Sequence, residues 1–200
     1  MTSEVLALIL QCTFLLTALV LRTLLHYART GTTGLRVLSK SSLVQRMSVA
    51  LLVAGGAASL AAAPVQGRGD MTPLLESGIT LYVGLCVAVA GIVLVLVAQE
   101  YMRDSWRIGV DTRERTTLIS TGPFRYVRNP IFSGMLMFWA GIALMVPNVL
   151  AIGGLLMAFV GIEGHVRHVE EPYLLRTHGA EYRRYAARTG RLLPGIGRLK

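Results

Sequence analysis

The apolar residues of this chain come in blocks, and the blocks set its architecture. Val5–Leu21 carries no charged residue, Leu43–Ala63 only Arg46, and Leu74–Ala98 only Glu76, near its start. About 20 apolar helical residues cross a bilayer core, so the second and third blocks are long enough and the first nearly so. Two further runs, Ile131–Val146 and Val149–Ile162, are separated by Pro147-Asn148, a pair that reads as a tight turn. At about 1.5 Å per residue these runs give helices of about 21 to 24 Å, short of the roughly 30 Å core. They are expected to form a hairpin extended into polar residues at its cytoplasmic ends. The pattern therefore predicts an all-α integral membrane protein with about five transmembrane helices. The last two form the hairpin, and a cytoplasmic C-terminal helical segment follows. Residues 1–98 make a three-helix N-terminal membrane region; residues 99–200 hold a polar connector, the hairpin and the C-terminal segment.

Composition agrees. Of 200 residues 53% are hydrophobic and 16% charged, and the mean hydropathy is +0.55, whereas a soluble domain is about a quarter charged. The first block follows Glu4 rather than the basic start of a signal peptide, so it reads as a retained helix. Charge placement sets the orientation. Five basic residues and no acidic one lie between Arg22 and Arg46, and eight basic residues face three acidic ones between Arg167 and Lys200. Basic residues gather on the cytoplasmic side, which puts the first loop and the C-terminal tail there and the N-terminus outside. The net charge of +9 is then accounted for by topology and anionic membrane lipids, with no nucleic-acid partner. Cys12 and Cys86 lie in apolar blocks and read as small buried hydrophobes rather than a disulfide.

Candidate chemistry begins where the hairpin does, at GPFRYVRNPIFSG, residues Gly122 to Gly134. Proline suits a first helical turn and asparagine a cap, so Asn129-Pro130 marks a helix start. Capping does not explain Gly122-Pro123, or Arg125 and Arg128 beside Phe124 and Tyr126. Exposed N–H groups, cations and aromatic rings at a helix entrance can hold a small anionic or planar ligand. The alternative is a purely structural membrane entry.

Past the hairpin the chain reads GHVRHVEEPYLLRTHGAEYRRYAARTGRLLPG, with helical stretches broken at Pro172, Gly179, Gly190 and Pro194. His165 and His168, spaced i, i+3 near Glu170 and Glu171, resemble a metal-binding fragment. With no second histidine box, the expectation is no metal. Glu163, Arg167 and Glu171 are spaced to pair along one helix face. Tyr182 and Tyr185 with Arg183, Arg184 and Arg188 fit an amphipathic interfacial helix. No nucleophile elbow and no Walker or Rossmann glycine pattern is present.

Taken together, GPFRYVRNPIFSG and the later EEPYLL with HGAEYRRY resemble the isoprenylcysteine carboxyl methyltransferase family, which is similar to the membrane phospholipid methyltransferases. The residues that carry the resemblance are Gly122, Pro123, Phe124, Val127, Arg128, Asn129, Pro130, Phe132 and Gly134, then Glu170, Glu171, Leu174, Gly179, Tyr182 and Tyr185. The likeness runs from about Arg113 to Pro194, and it departs from the family pattern at Asn129, Phe132 and His178.

The resemblance implies a methyltransferase that binds S-adenosylmethionine in a cytosol-facing pocket and admits a small lipophilic acceptor sideways from the bilayer. It implies a cofactor site of Gly122, Pro123, Tyr126, Val127, Arg128, Asn129, Pro130, Glu170, Glu171 and Tyr182. Arg128, Glu171 and His168 are its candidate catalytic residues. A carboxylate acceptor, the family's usual one, is already ionised at neutral pH. A thiol or phospholipid amine would need a base, Glu171 or His168. A cofactor-binding or structural membrane protein without turnover is the reading outside the enzymes.

Overall fold

The computed structural model describes residues 2–33, 42–75, 77–103 and 117–199. Most of the polar connector (104–116) and Glu76 lie outside the described residues. The described residues are helical throughout apart from turns and one isolated bridge. Helix α1 (Ser3–Phe14) continues through a π-helical stretch, Leu15–Leu21, into α2 (Arg22–Thr30), so the first rod is Ser3–Thr30. Then come α3 (Leu43–Gly67), α4 (Gly78–Met102), α5 (Pro130–Met145) and α6 (Val149–His165). A π turn, Val166–Glu170, joins α6 to the polar α7 (Glu171–Arg188), which is kinked at Gly179, φ 53°. Among the described residues four helices are long and apolar enough to cross a membrane, and α5 is a shorter apolar one. The protein is an integral membrane helical bundle.

Local chemistry sets most boundaries. Ser42, Ser77 and Asn148 cap α3, α4 and α6 through side-chain oxygens that accept from Gln45, Ile79 and Ala151 N–H groups. Gly31, at φ 72°, ends α2 in the left-handed region open to glycine. The first helix outruns its apolar block by nine residues because Arg22 and His26 are buried at its end. Arg22 donates to the Glu100 carboxylate at 3.4 Å and to the Arg103 carbonyl at 2.7 Å. The third block begins later than its hydropathy suggests. Leu74 N–H is bonded to the Pro147 carbonyl at 2.6 Å, and the helix waits for the Ser77 cap.

Small residues bring two antiparallel pairs into backbone contact. A Cβ on Gly91 of α4 would stand 2.5 Å from Phe138 N and 2.6 Å from Gly134 O of α5. A Cβ on Gly154 of α6 would stand 2.6 Å from Gly55 O of α3. In lipid, where apolar helices gain little by leaving the solvent, such close approach is a main source of association. The rod Ser3–Thr30 leans on both pairs: Phe14 stacks on Phe138 of α5 at 4.3 Å, and Gln66 of α3 donates to the Glu4 carboxylate at 2.8 Å. Cys12 and Cys86 are free, but both are exposed rather than buried. Apolar helices in a bundle keep an outward face, and both thiols lie on it.

The Pro147-Asn148 turn is as expected, and its asparagine does more than turn. Asn148 is fully buried, caps α6, and donates to the Ala62 carbonyl at 3.0 Å and to Gln66 Oε1 at 3.1 Å. One side chain thus ties the hairpin to α3. Pro172 does not break the tail. It falls in the first turn of α7, where a missing N–H is tolerated.

Candidate functional site

Gly122 opens the hairpin motif at φ 58°, packed so closely on the Tyr101 ring that a Cβ has no room. A 3₁₀ turn, Gly122–Arg125, buries Phe124, whose carbonyl accepts from the Tyr185 hydroxyl at 2.6 Å. The chain then extends alongside the C-terminal segment, Val127 bridging to Gly190 in parallel. Arg128 N–H donates to the Gly190 carbonyl at 2.8 Å, Asn129 N–H to that of Arg191 at 3.1 Å, and Ser133 Oγ to that of Leu192 at 2.6 Å. The Asn129 side chain does not cap α5; its Nδ2 donates to the same Arg191 carbonyl at 3.2 Å. The neighbouring C-terminal segment offers it an acceptor that the helix end does not.

Arg128 is the centre of this junction, its side chain 1% exposed. Nη1 donates to the carbonyls of Ala186, at 3.1 Å, and Thr189, and so satisfies groups left open where α7 ends. Nη2 donates to Glu171 Oε1 at 2.5 Å and to the Gly197 carbonyl at 2.9 Å. Arg191 forks onto both oxygens of the same carboxylate, Nε to Oε1 at 2.8 Å and Nη2 to Oε2 at 3.0 Å. Its Nη1 reaches Glu163 at 3.4 Å. Hydrogen bonding to Glu171 raises Arg191 above its ordinary value, against the opposing effect of burial. Burying these charges is tolerable because nearly every one is paired. The pairing along one helix face from Glu163 through Arg167 to Glu171 holds only for the first two, at 2.5 Å. The π turn between Arg167 and Glu171 rotates Glu171 off that face toward Arg128 and Arg191.

The sequence-derived residues divide accordingly. Val127, Arg128, Asn129, Pro130, Glu171 and Tyr182 converge on the junction, and Gly122 and Pro123 shape the turn leading into it. Tyr126, 65% exposed, and His168, exposed on the π turn, do not join them. Glu170 faces His165, its Oε1 3.5 Å from Nε2. Sequence reading passed over Arg191 and the buried His165 as site residues. The one signal for Arg191 was its place directly after a glycine in a tail segment that must turn. Several buried polar atoms have no hydrogen-bond partner within the described residues: Tyr182 Oη, His165 Nδ1, Arg128 Nε and His178 Nε2. Buried groups of this kind are nearly always satisfied; of these, Tyr182 and Arg128 lie close enough to interact electrostatically. No group of three or more metal-ligating side chains forms among the described residues.

Comparison with known proteins bears on both motifs. The family model described as phospholipid methyltransferase matches residues 79–181, from α4 into α7. Among solved structures, the chain is similar to the eukaryotic intramembrane Ras methyltransferase, isoprenylcysteine carboxyl methyltransferase, with a TM-score of 0.63 at 18% identity. The alignment covers 96% of this chain and 66% of that one, so the likeness is one of fold and the chain spans about two thirds of that protein's length. No curated protein matches in sequence. With more than half of its residues matched by the family model, and both motifs brought to one junction at the end of the hairpin, the chain belongs to the phospholipid methyltransferase family.

Proposed function

We propose that the protein is an S-adenosylmethionine-dependent methyltransferase of the membrane, acting on a small lipophilic acceptor. The observation that carries this reading is the junction itself. Residues 43 apart in sequence, Arg128 and Glu171, are locked together at the polar end of an apolar hairpin, beside buried polar atoms that lack partners. A polar cofactor needs an aqueous entrance and a lipophilic acceptor an apolar one, and the end of the hairpin offers both.

The residues present fit the cofactor. Tyr182 Oη, buried and unpartnered, can donate to its carboxylate or ribose, and the exposed Tyr126 ring can cover its cationic centre. Bound there, S-adenosylmethionine supplies a methyl group activated by a sulfonium. The chain's own contribution is alignment: holding two reactants in line supplies much of the acceleration for a displacement of this kind. Arg128, Glu171 and Arg191 satisfy one another, so their part is to hold the α7 wall against the hairpin. Basic residues Arg22, Arg29 and Arg103 gather at the same end of the bundle, which supports a cytoplasmic site with the N-terminus outside.

Calorimetric titration of the detergent-purified protein with S-adenosylhomocysteine tests the reading. Saturable binding is expected in the wild type, weakened about tenfold in Tyr182→Phe, since a hydrogen bond contributes about 1 kcal/mol or more. Tyr182→Phe removes one hydroxyl beside Arg128 and keeps the buried ring, so the fold should survive. A folded, monodisperse wild type that binds nothing would end the proposal.

A further inference from the structure

Residues 190–192 follow the start of the hairpin step by step. The Gly190 carbonyl accepts from Arg128 N–H at 2.8 Å, that of Arg191 from Asn129 N–H at 3.1 Å, and that of Leu192 from Ser133 Oγ at 2.6 Å. Contact with α4 sets the depth of the last bond. A Cβ on Gly134, the neighbour of Ser133, would stand 3.0 Å from Val95 N. Val95 lies five residues inside Glu100, about 7 Å along a helix axis, in the apolar block of α4. Leu192 is therefore at the level of the apolar layer, and it is buried in the same hydrophobic core as Val95 and Phe138.

The chain then turns back. Ile196 N–H donates to the Leu193 carbonyl at 3.1 Å and Arg191 N–H to the Ile196 carbonyl at 2.7 Å. On the return the Gly197 carbonyl accepts from Arg128 Nη2 at 2.9 Å, and Leu199 N–H donates to the Ala186 carbonyl at 3.1 Å. The carbonyls of Gly190, Arg191, Leu192, Leu193, Ile196 and Gly197 are thus all bonded within the protein. A loop in water can leave such groups to solvent, whereas one at membrane depth must bond them internally. Pro194, in the turn, has no N–H to satisfy. The side chains agree. Leu193 and Ile196, on either side of Pro194-Gly195, are 57% and 63% exposed, and residues 192–197 include no polar side chain. Arg198, also exposed, reaches back over the turn, its Nη2 3.7 Å from where a Cβ on Gly195 would stand. A long stem on an apolar surface with its cation outward suits the phosphate level of a bilayer.

We propose that residues 192–197 form a re-entrant loop seated in the bilayer, with Leu193 and Ile196 among the acyl chains of the leaflet at the polar end of the hairpin. The C-terminal segment is then held from two sides, by Arg128 and the start of α5 on the protein side and by lipid on the other. The bilayer becomes part of the clamp that closes α7 onto the hairpin. Nothing in this inference depends on a cofactor or an acceptor, so it stands or falls apart from the methyltransferase reading.

The test uses the full chain in nanodiscs of phosphatidylcholine and phosphatidylglycerol. The exposed native thiols are removed by Cys12→Ala and Cys86→Ala, and a nitroxide is attached through Leu193→Cys or Ile196→Cys. Both positions are exposed, so the label displaces no packed side chain. Collision with oxygen, which enters lipid, is compared with collision with a water-soluble nickel chelate. Arg188→Cys, exposed on α7, is the aqueous reference, and Leu96→Cys, exposed on α4 beside Val95, is the lipid reference. At both loop sites the ratio of oxygen to nickel collision should exceed that at Arg188→Cys by about tenfold or more and approach that at Leu96→Cys, because a polar chelate is excluded from hydrocarbon. A smaller difference from Arg188→Cys at either site would put the loop in water and overturn the inference.

Discussion

Where α4 crosses α5, the two backbones touch. Gly91 and Gly134 lie across from each other, and a single added carbon on either would meet main-chain atoms. At the N-terminal end of the same α5 the chain is held quite differently, by one guanidinium that donates to four acceptors on the C-terminal segment. The first contact works by shape, because in lipid there is little hydrophobic gain and close packing must do the joining. The second works by charge, because at the end of the hairpin polar groups can be buried only if they satisfy one another. The two regions should answer differently to substitution.

The largest effect is expected at the charged end. Arg128→Ala leaves Glu171 with one partner and uncaps α7, a loss of about 3–5 kcal/mol for breaking a buried pair. It should appear as a lowered melting temperature in detergent and as proteolysis of residues 189–199. A variant melting like wild type would reduce the network to decoration. In the apolar half, Gly91→Leu forces α4 from α5 at a cost of about 1–3 kcal/mol or more. Gly153→Ala, on a helix position with nothing within 4 Å, should instead gain up to about 1 kcal/mol. If both glycine changes destabilise alike, shape is not what joins these helices. Asn148→Ala removes a cap and two cross-links, at about 1–2 kcal/mol, measured in the same melts. Arg167→Ala tests the rim. That side chain is 57% exposed and, among the described residues, paired with Glu163, so less than about 0.5 kcal/mol should be lost. A loss near that of Arg128→Ala would mean the network acts as one unit out to its exposed edge.

Much of this could be read from the chain. The five apolar blocks are five helical rods, because hydropathy over about 20 residues is a local quantity that lipid enforces. The hairpin turn at Pro147-Asn148 and the helix start at Pro130 followed from the backbone preferences of those residues. The two motif blocks were recognisable, and with them the family. What the blocks do to each other was not legible. Spacing suggested a face shared by Glu163, Arg167 and Glu171, and a π turn inserted between the last two cancels it. Nothing local marks that turn.

Composition within short windows places this protein in a membrane, marks its apolar rods and picks out the two motif blocks that carry the family resemblance. Only the tertiary structure decided the partners. Arg128 meets Glu171 and the end of α7. Arg191 drew no attention in the tail, and it completes the ion pair. His165 read as half of a metal fragment, and it stands with a free ring nitrogen beside Glu170. Each outcome depends on what lies across a gap of helices and turns, where burial requires every polar group to find a partner and local sequence does not say which.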